Sequence, residues 1–153
     1  MAFTQRSIEV DIELQDGGGK TFRDFACECT IEKVGLPDKN KASVTIYGMS
    51  LEDMEQFTVL AFRPLEYRKN KMRIRAGDKG GNVAQVFVGD IMSAFADFGN
   101  APNVCFRIEA QTGLFAALTP SDPETVQGEA KASDIISKVA GETGFGFTSS
   151  GME

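Results

Sequence analysis

The stretch Ser7-Ile8-Glu9-Val10-Asp11-Ile12-Glu13-Leu14-Gln15 alternates apolar and polar residues without a break. Successive side chains of a strand point to opposite faces, so Ile8, Val10, Ile12 and Leu14 share one face and Glu9, Asp11 and Glu13 the other. This is the pattern of a half-buried strand. Asp16-Gly17-Gly18-Gly19 follows with several positions that tolerate positive φ, and Thr21 to Val34 resumes extended character. A β-hairpin with a bend near Ala26 is expected.

The same period recurs downstream. Ala42 to Tyr47 follows a polar loop and places Ala42, Val44 and Ile46 on one face. Helical spacing appears once in the first half of the chain, at Met49, Leu51, Met54, Phe57 and Leu60, with Ser50 three residues before Asp53 in capping-box order. One short helix, 51–60, is expected. Strand character returns at Lys71 to Ala76, turns through Gly77-Asp78-Lys79-Gly80-Gly81-Asn82, and continues over 83–95 and 103–112. The prediction is mainly β (α+β): a small antiparallel β-barrel or sandwich with one packed helix, over residues 1–118. A Pro-containing linker, 119–131, then leads to an amphipathic helix with Ile135, Ile136, Val139 and Ala140 and a Phe145-Gly146-Phe147 strand. This helix-strand extension, 132–153, is too small to bury a core alone.

Length and charge narrow the function. At 153 residues, 42% hydrophobic and 25% charged, the chain has ordinary globular composition. Its formal charge of -6 disfavours broad phosphate-backbone binding. The absence of His removes Ser-His and Cys-His nucleophiles and the commonest zinc ligand. Three cysteines do not suit a secreted disulfide framework, so a reducing cytoplasm is the expected place of folding. No apolar run reaches the length of a membrane span, and membrane insertion is not expected.

Gly17-Gly18-Gly19-Lys20-Thr21 invites comparison with a phosphate loop, but the required first glycine would fall at Leu14 and a strand follows where a helix is needed. Cys27, Cys29 and Cys105 lack a fourth ligand other than a carboxylate, so they are expected to be reduced, metal-free small hydrophobes. No cofactor is implied. Glu9, Asp11 and Glu13 describe a solvated acidic face before they describe a catalytic pair. The segment 63–79 holds seven basic residues, Arg63, Arg68, Lys69, Lys71, Arg73, Arg75 and Lys79, against Glu66 and Asp78. Seven minus two is +5, leaving -11 for the rest of the chain. Lys71, Arg73 and Arg75 alternate with Met72, Ile74 and Ala76, so one strand presents a basic face, either solvated or meeting an acidic partner.

The order of these elements resembles the N-terminal domain of baseplate hub proteins from contractile-tailed bacteriophages. The resemblance runs from about residue 7 to 118 through Lys41-Ala42-Ser43-Val44-Thr45-Ile46-Tyr47-Gly48-Met49-Ser50, Met72-Arg73-Ile74-Arg75-Ala76-Gly77, Val86-Phe87-Val88-Gly89-Asp90-Ile91 and Pro102-Asn103-Val104-Cys105-Phe106-Arg107-Ile108-Glu109-Ala110. Ala132 to Gly151 is similar to the opening of the family's next domain. It implies a tube-like β-barrel with no enzymatic role, packing with copies of itself as a trimer or other ring. That ring continues the tail tube and meets the central spike and other baseplate proteins, while DNA passes without specific binding. The expected location is the virion tail baseplate, after synthesis in the host cytoplasm. For such a ring, Lys71, Arg73 and Arg75 are the candidate subunit interface and Glu9, Asp11 and Glu13 the candidate acidic lumen face. A component of a type VI secretion-like machine and a carboxylate-dependent hydrolase are the alternatives.

Overall fold

The structure, a computed structural model, describes residues 5–35, 38–59, 70–115 and 131–143, with residues 128 and 148. Among these residues, seven strands and a short helix lie in the first of two compact units, Met1–Leu114. In chain order they are β1 (Arg6–Glu13), β2 (Gly19–Phe22), β3 (Ala26–Glu32), β4 (Lys41–Tyr47), α1 (Leu51–Phe57), β5 (Lys71–Asp78), β6 (Val83–Asp97) and β7 (Cys105–Gln111). The second unit, Phe115–Glu153, contains the helix α2 (Ala132–Thr143).

All pairings are antiparallel, in the order β2-β1-β5-β6-β7-β4-β3. The fifteen-residue β6 serves two neighbours in turn: residues 83–90 pair with β5 and residues 90–97 with β7, with a register shift between Ile91 and Ser93. A strand that changes partner at a bulge turns a corner. The sheet therefore bends into two four-stranded halves that share β6. Laid flat, its edge strands β2 and β3 would stand about 29 Å apart at ordinary strand spacing. Only three residues, Arg23-Asp24-Phe25, separate Phe22 from Ala26, and such a link spans at most about 14 Å. The edges are thus drawn together without pairing to each other, giving an incompletely closed barrel, in keeping with the expected barrel or sandwich. Asp24 takes a positive φ of 59° within this link, a conformation that Asp tolerates better than most residues.

The inward residues of each strand make the core. Val10 and Ile12 of β1 stand beside Ile74 and Met72 of β5, and Val44 and Ile46 of β4 beside Ile108 and Phe106 of β7, all nearly inaccessible to water. Phe22 meets Phe57 of α1 edge-to-face at 5.7 Å. α1 starts where the sequence predicts: the Ser50 side chain accepts the backbone N–H of Asp53 at 3.1 Å. It ends earlier, at Phe57. Thr58 and Val59 are β-branched, and Val59 exchanges two backbone hydrogen bonds with Ala94 of β6, so the chain is drawn into a sheet contact instead of another helical turn.

The hairpins β1–β2 and β5–β6 are present as expected, but β3 leaves β2 to pair with β4 at the other edge. Local period reports the bend and not the strand's destination. Cys105 also differs from the reading that could group it with Cys27 and Cys29. Cys27 aligns through Ile46 with Phe106 on the core face, so Cys105 faces outward. The three thiols are free. Burial raises the pKa of Cys27 and Cys29. The expected basic residues Arg63, Arg68 and Lys69, the linker 119–131 apart from residues 128 and 131, and the strand 145–147 lie outside the described residues. Among the described residues, no helix is long and apolar enough to cross a membrane.

Candidate functional site: the charged face of β1 and β5

The two charge sets singled out in the sequence stand directly opposite each other. β1 and β5 pair with Glu9 against Arg75, Asp11 against Arg73 and Glu13 against Lys71. The parity that sends Val10, Ile12, Met72 and Ile74 inward sends all six charged residues to the outer face. Arg75 Nη2 lies 2.8 Å from Asp11 Oδ2 and 3.0 Å from Oδ1, and 3.3 Å from Glu9 Oε2. Arg73 Nη1 reaches Glu13 Oε1 diagonally at 3.1 Å.

The turn after β2 completes the network. Arg23 Nε lies 3.2 Å from Glu9 Oε1, and Thr21 Oγ1 donates to Asp11 Oδ1 at 2.6 Å. Beside it, Asp24 pairs with Lys79 at 3.0 Å, which fastens the β2–β3 link to the β5–β6 turn. Glu9 and Asp11 are consequently buried outward-facing carboxylates, with side chains only 12% and 10% exposed. This departs from the solvated acidic face that alternation suggests, because alternation gives a face but not what lies across it. Glu9 Oε2 and Arg75 Nε lack good hydrogen bonds, so Arg75 is divided between two carboxylates and satisfies Asp11 better.

Four cations, Arg23, Lys71, Arg73 and Arg75, face three carboxylates, so the face is almost neutral although each strand alone is strongly charged. Its chemistry is structural: a cross-strand ladder that penalises any slip of β1 against β5, since a one-residue slip would turn charges into the core. Among the described residues no group of carboxylates and thiols has the arrangement of a metal site.

The other half of the barrel carries a different outer face, which the sequence reading passed over. There Tyr47, Cys105 and Asp97 form one cross-strand row, and Glu28, Thr45, Arg107 and Phe95 the row beside it. The Tyr47 hydroxyl donates to Glu28 Oε1 at 3.1 Å, which raises the phenol's pKa. Arg107 Nε pairs with Asp97 Oδ2 at 2.8 Å. The signal available in the sequence is the set of large residues at outward parity, Tyr47 and Phe95.

Comparison with known proteins decides the family. The family described as baseplate hub gp41 matches over residues 7–150. This chain belongs to that family. A baseplate hub protein is a structural part of the phage tail baseplate, as the resemblance implied. Among solved structures, a chain of the virion of a native gene transfer agent particle is 14% identical, with a TM-score of 0.55 over 82% of this chain and 46% of that chain. That likeness concerns the fold, and the present hub chain spans less than half the length of the solved one. No curated protein matches.

Proposed function

We propose that this hub protein has no enzymatic role and works as a ring-forming subunit, assembling with copies of itself as a trimer or other ring between the tail tube and the central spike. It is made in the host cytoplasm and built into the virion with other baseplate proteins. The observation that carries this reading, beside the family, is the edge of β3, which among the described residues pairs on one side only. That strand is the terminal one of the sheet, seven residues long without Pro, and its core-facing Cys27, Cys29 and Ile31 are only half-buried, unlike their counterparts on β4 and β7. A long exposed edge with an incompletely covered apolar side needs a partner.

Residues 1–118 form the tube-like domain of this proposal, 119–131 its linker and 132–153 the extension. Lys71, Arg73 and Arg75, expected from the sequence as the subunit contact, interleave with Glu9, Asp11 and Glu13 on one face and pair with them, so the two sets are proposed together as a single lumen-side wall. A nearly neutral wall gives a passing phosphate backbone little to hold, which suits DNA transit without specific binding. Light scattering at rising concentration, with and without tube and spike proteins, tests the reading. Assembly is expected; a strict monomer with no affinity for either partner contradicts it.

A further inference from the structure

β2 and β3 run in the same direction, because six antiparallel pairings separate them in the sheet. A hydrogen-bonded parallel pair needs a crossover of about a dozen residues or more, and only Arg23-Asp24-Phe25 joins these two. They are therefore one strand with a bend in it, pairing with β1 before the bend and with β4 after it. The β1 register carries one step past β2: Phe22 stands opposite Val10, and Arg23 reaches Glu9, the next residue along, at 3.2 Å. It breaks at Asp24, whose positive φ of 59° is the left-handed conformation of a bulge, one that Gly takes at lower cost. The long strand β6 has the same design, pairing with β5 before its register shift and with β7 after it. Two corners thus join the half-sheets.

The corners are fastened differently. Past the end of β5, the side of β6 that it paired with is held by backbone. Ile91 N–H donates to the Asn70 carbonyl at 2.9 Å, and Ala94, fully buried, exchanges bonds of 2.7 and 2.9 Å with Val59. Salt screens such buried contacts little. The β2–β3 corner is fastened by side chains. Arg23 pairs with Glu9, and Asp24 pairs with Lys79 of the β5–β6 turn at 3.0 Å. Arg23, Asp24 and Lys79 are 58%, 71% and 53% exposed, so salt weakens these pairs. Phe25 adds an edge-to-face contact with Phe22 at 5.7 Å but is itself exposed.

We infer that the β2–β3 corner is a salt-sensitive hinge. Asp24 stores the strain of the bend, the Asp24–Lys79 and Arg23–Glu9 pairs latch it, and the barrel opens there before it opens at the β6 corner. The hinge belongs to the single chain and works whether or not that chain enters a ring. Amide hydrogen exchange of the full chain, compared over residues 19–32 and 90–111, tests it. Lys79→Met removes the charge and keeps a long side chain, and Asp24→Asn removes the charge and keeps a residue that tolerates positive φ. At low salt each is expected to speed exchange over 19–32 by about two- to fivefold, the worth of one exposed ion pair, and to leave 90–111 unchanged. Moderate salt should narrow the gap by speeding exchange in the wild type. The double variant should exchange no faster than either single one. Rates over 19–32 that ignore both substitutions and salt overturn the hinge. So does an equal rise over 90–111, which would mean that the whole barrel opens at once. A double variant whose effect is the product of the single ones overturns it too, because Asp24 and Lys79 would then not act as a pair.

Discussion

Asp11 and Arg73 stand opposite each other on paired strands, yet their ion pairs differ in worth because their surroundings differ. Asp11 is nearly buried and supplies both oxygens to Arg75. Asp11→Ala leaves Thr21 without its acceptor and Arg75 with Glu9 alone, at 3.3 Å, and removing one partner of a buried pair costs about 3 kcal/mol. Arg73 and Glu13 are 38% and 48% exposed, so Arg73→Ala should cost at most about 1 kcal/mol, less in added salt. Urea denaturation of the two variants measures the contrast. Equal losses would mean that the ladder is not divided between a buried and a solvated part. The sequence showed both charge sets but not their pairing. Period-two alternation places Glu9 with Asp11 and Arg73 with Arg75, whereas the β1–β5 register joins residues from Glu13 and Lys71, 58 positions apart, to Arg6 and Asp78, 72 apart, and has no local signature.

Elements were legible wherever one face is buried. β4 and β7 alternate as their sequences predict, β1 alternates in the side each residue faces although Glu9 and Asp11 of its outer side are buried too, and the Ser50 cap marks the start of α1. The destination of β3 and the end of α1 were not, because each is set by a distant partner: β4 for the one and Ala94 for the other. Two predictions belong here. Gly77 sits where a Cβ would come within 2.4 Å of the Asn82 carbonyl oxygen and 2.8 Å of Val83 Cα. Gly77→Ala must spread the β5–β6 hairpin, at a cost of about 1–3 kcal/mol, read as a lowered unfolding midpoint. The second concerns Lys20, which fastens β2 to α1 through Asp53 at 2.6 Å. Hydrogen bonds from Lys20 and Ser50 hold the Asp53 carboxyl below its ordinary pKa. A lowered folded-state pKa contributes stability that is present above the ordinary carboxylate value and lost as pH falls through the folded one. The midpoint difference between wild type and Lys20→Met should therefore be largest near neutrality and shrink on acidification below about pH 4. A difference independent of pH would assign the effect to the Lys20 ammonium over the Phe22 ring, 5.7 Å from its centroid.

At the scale of the whole molecule, the β1–β5 face pairs its charges within the chain, while β3 ends the described sheet with a half-buried apolar side. Among the described residues β3 pairs on one side only. Such a division suits a subunit built to be one member of a ring. Imaging of the purified chain by electron microscopy, at a concentration where sedimentation shows assembly, tests this most directly. Closed rings with a central hole, alone or on addition of tube and spike proteins, are the predicted result. Single globules at every concentration, with and without those proteins, would contradict it.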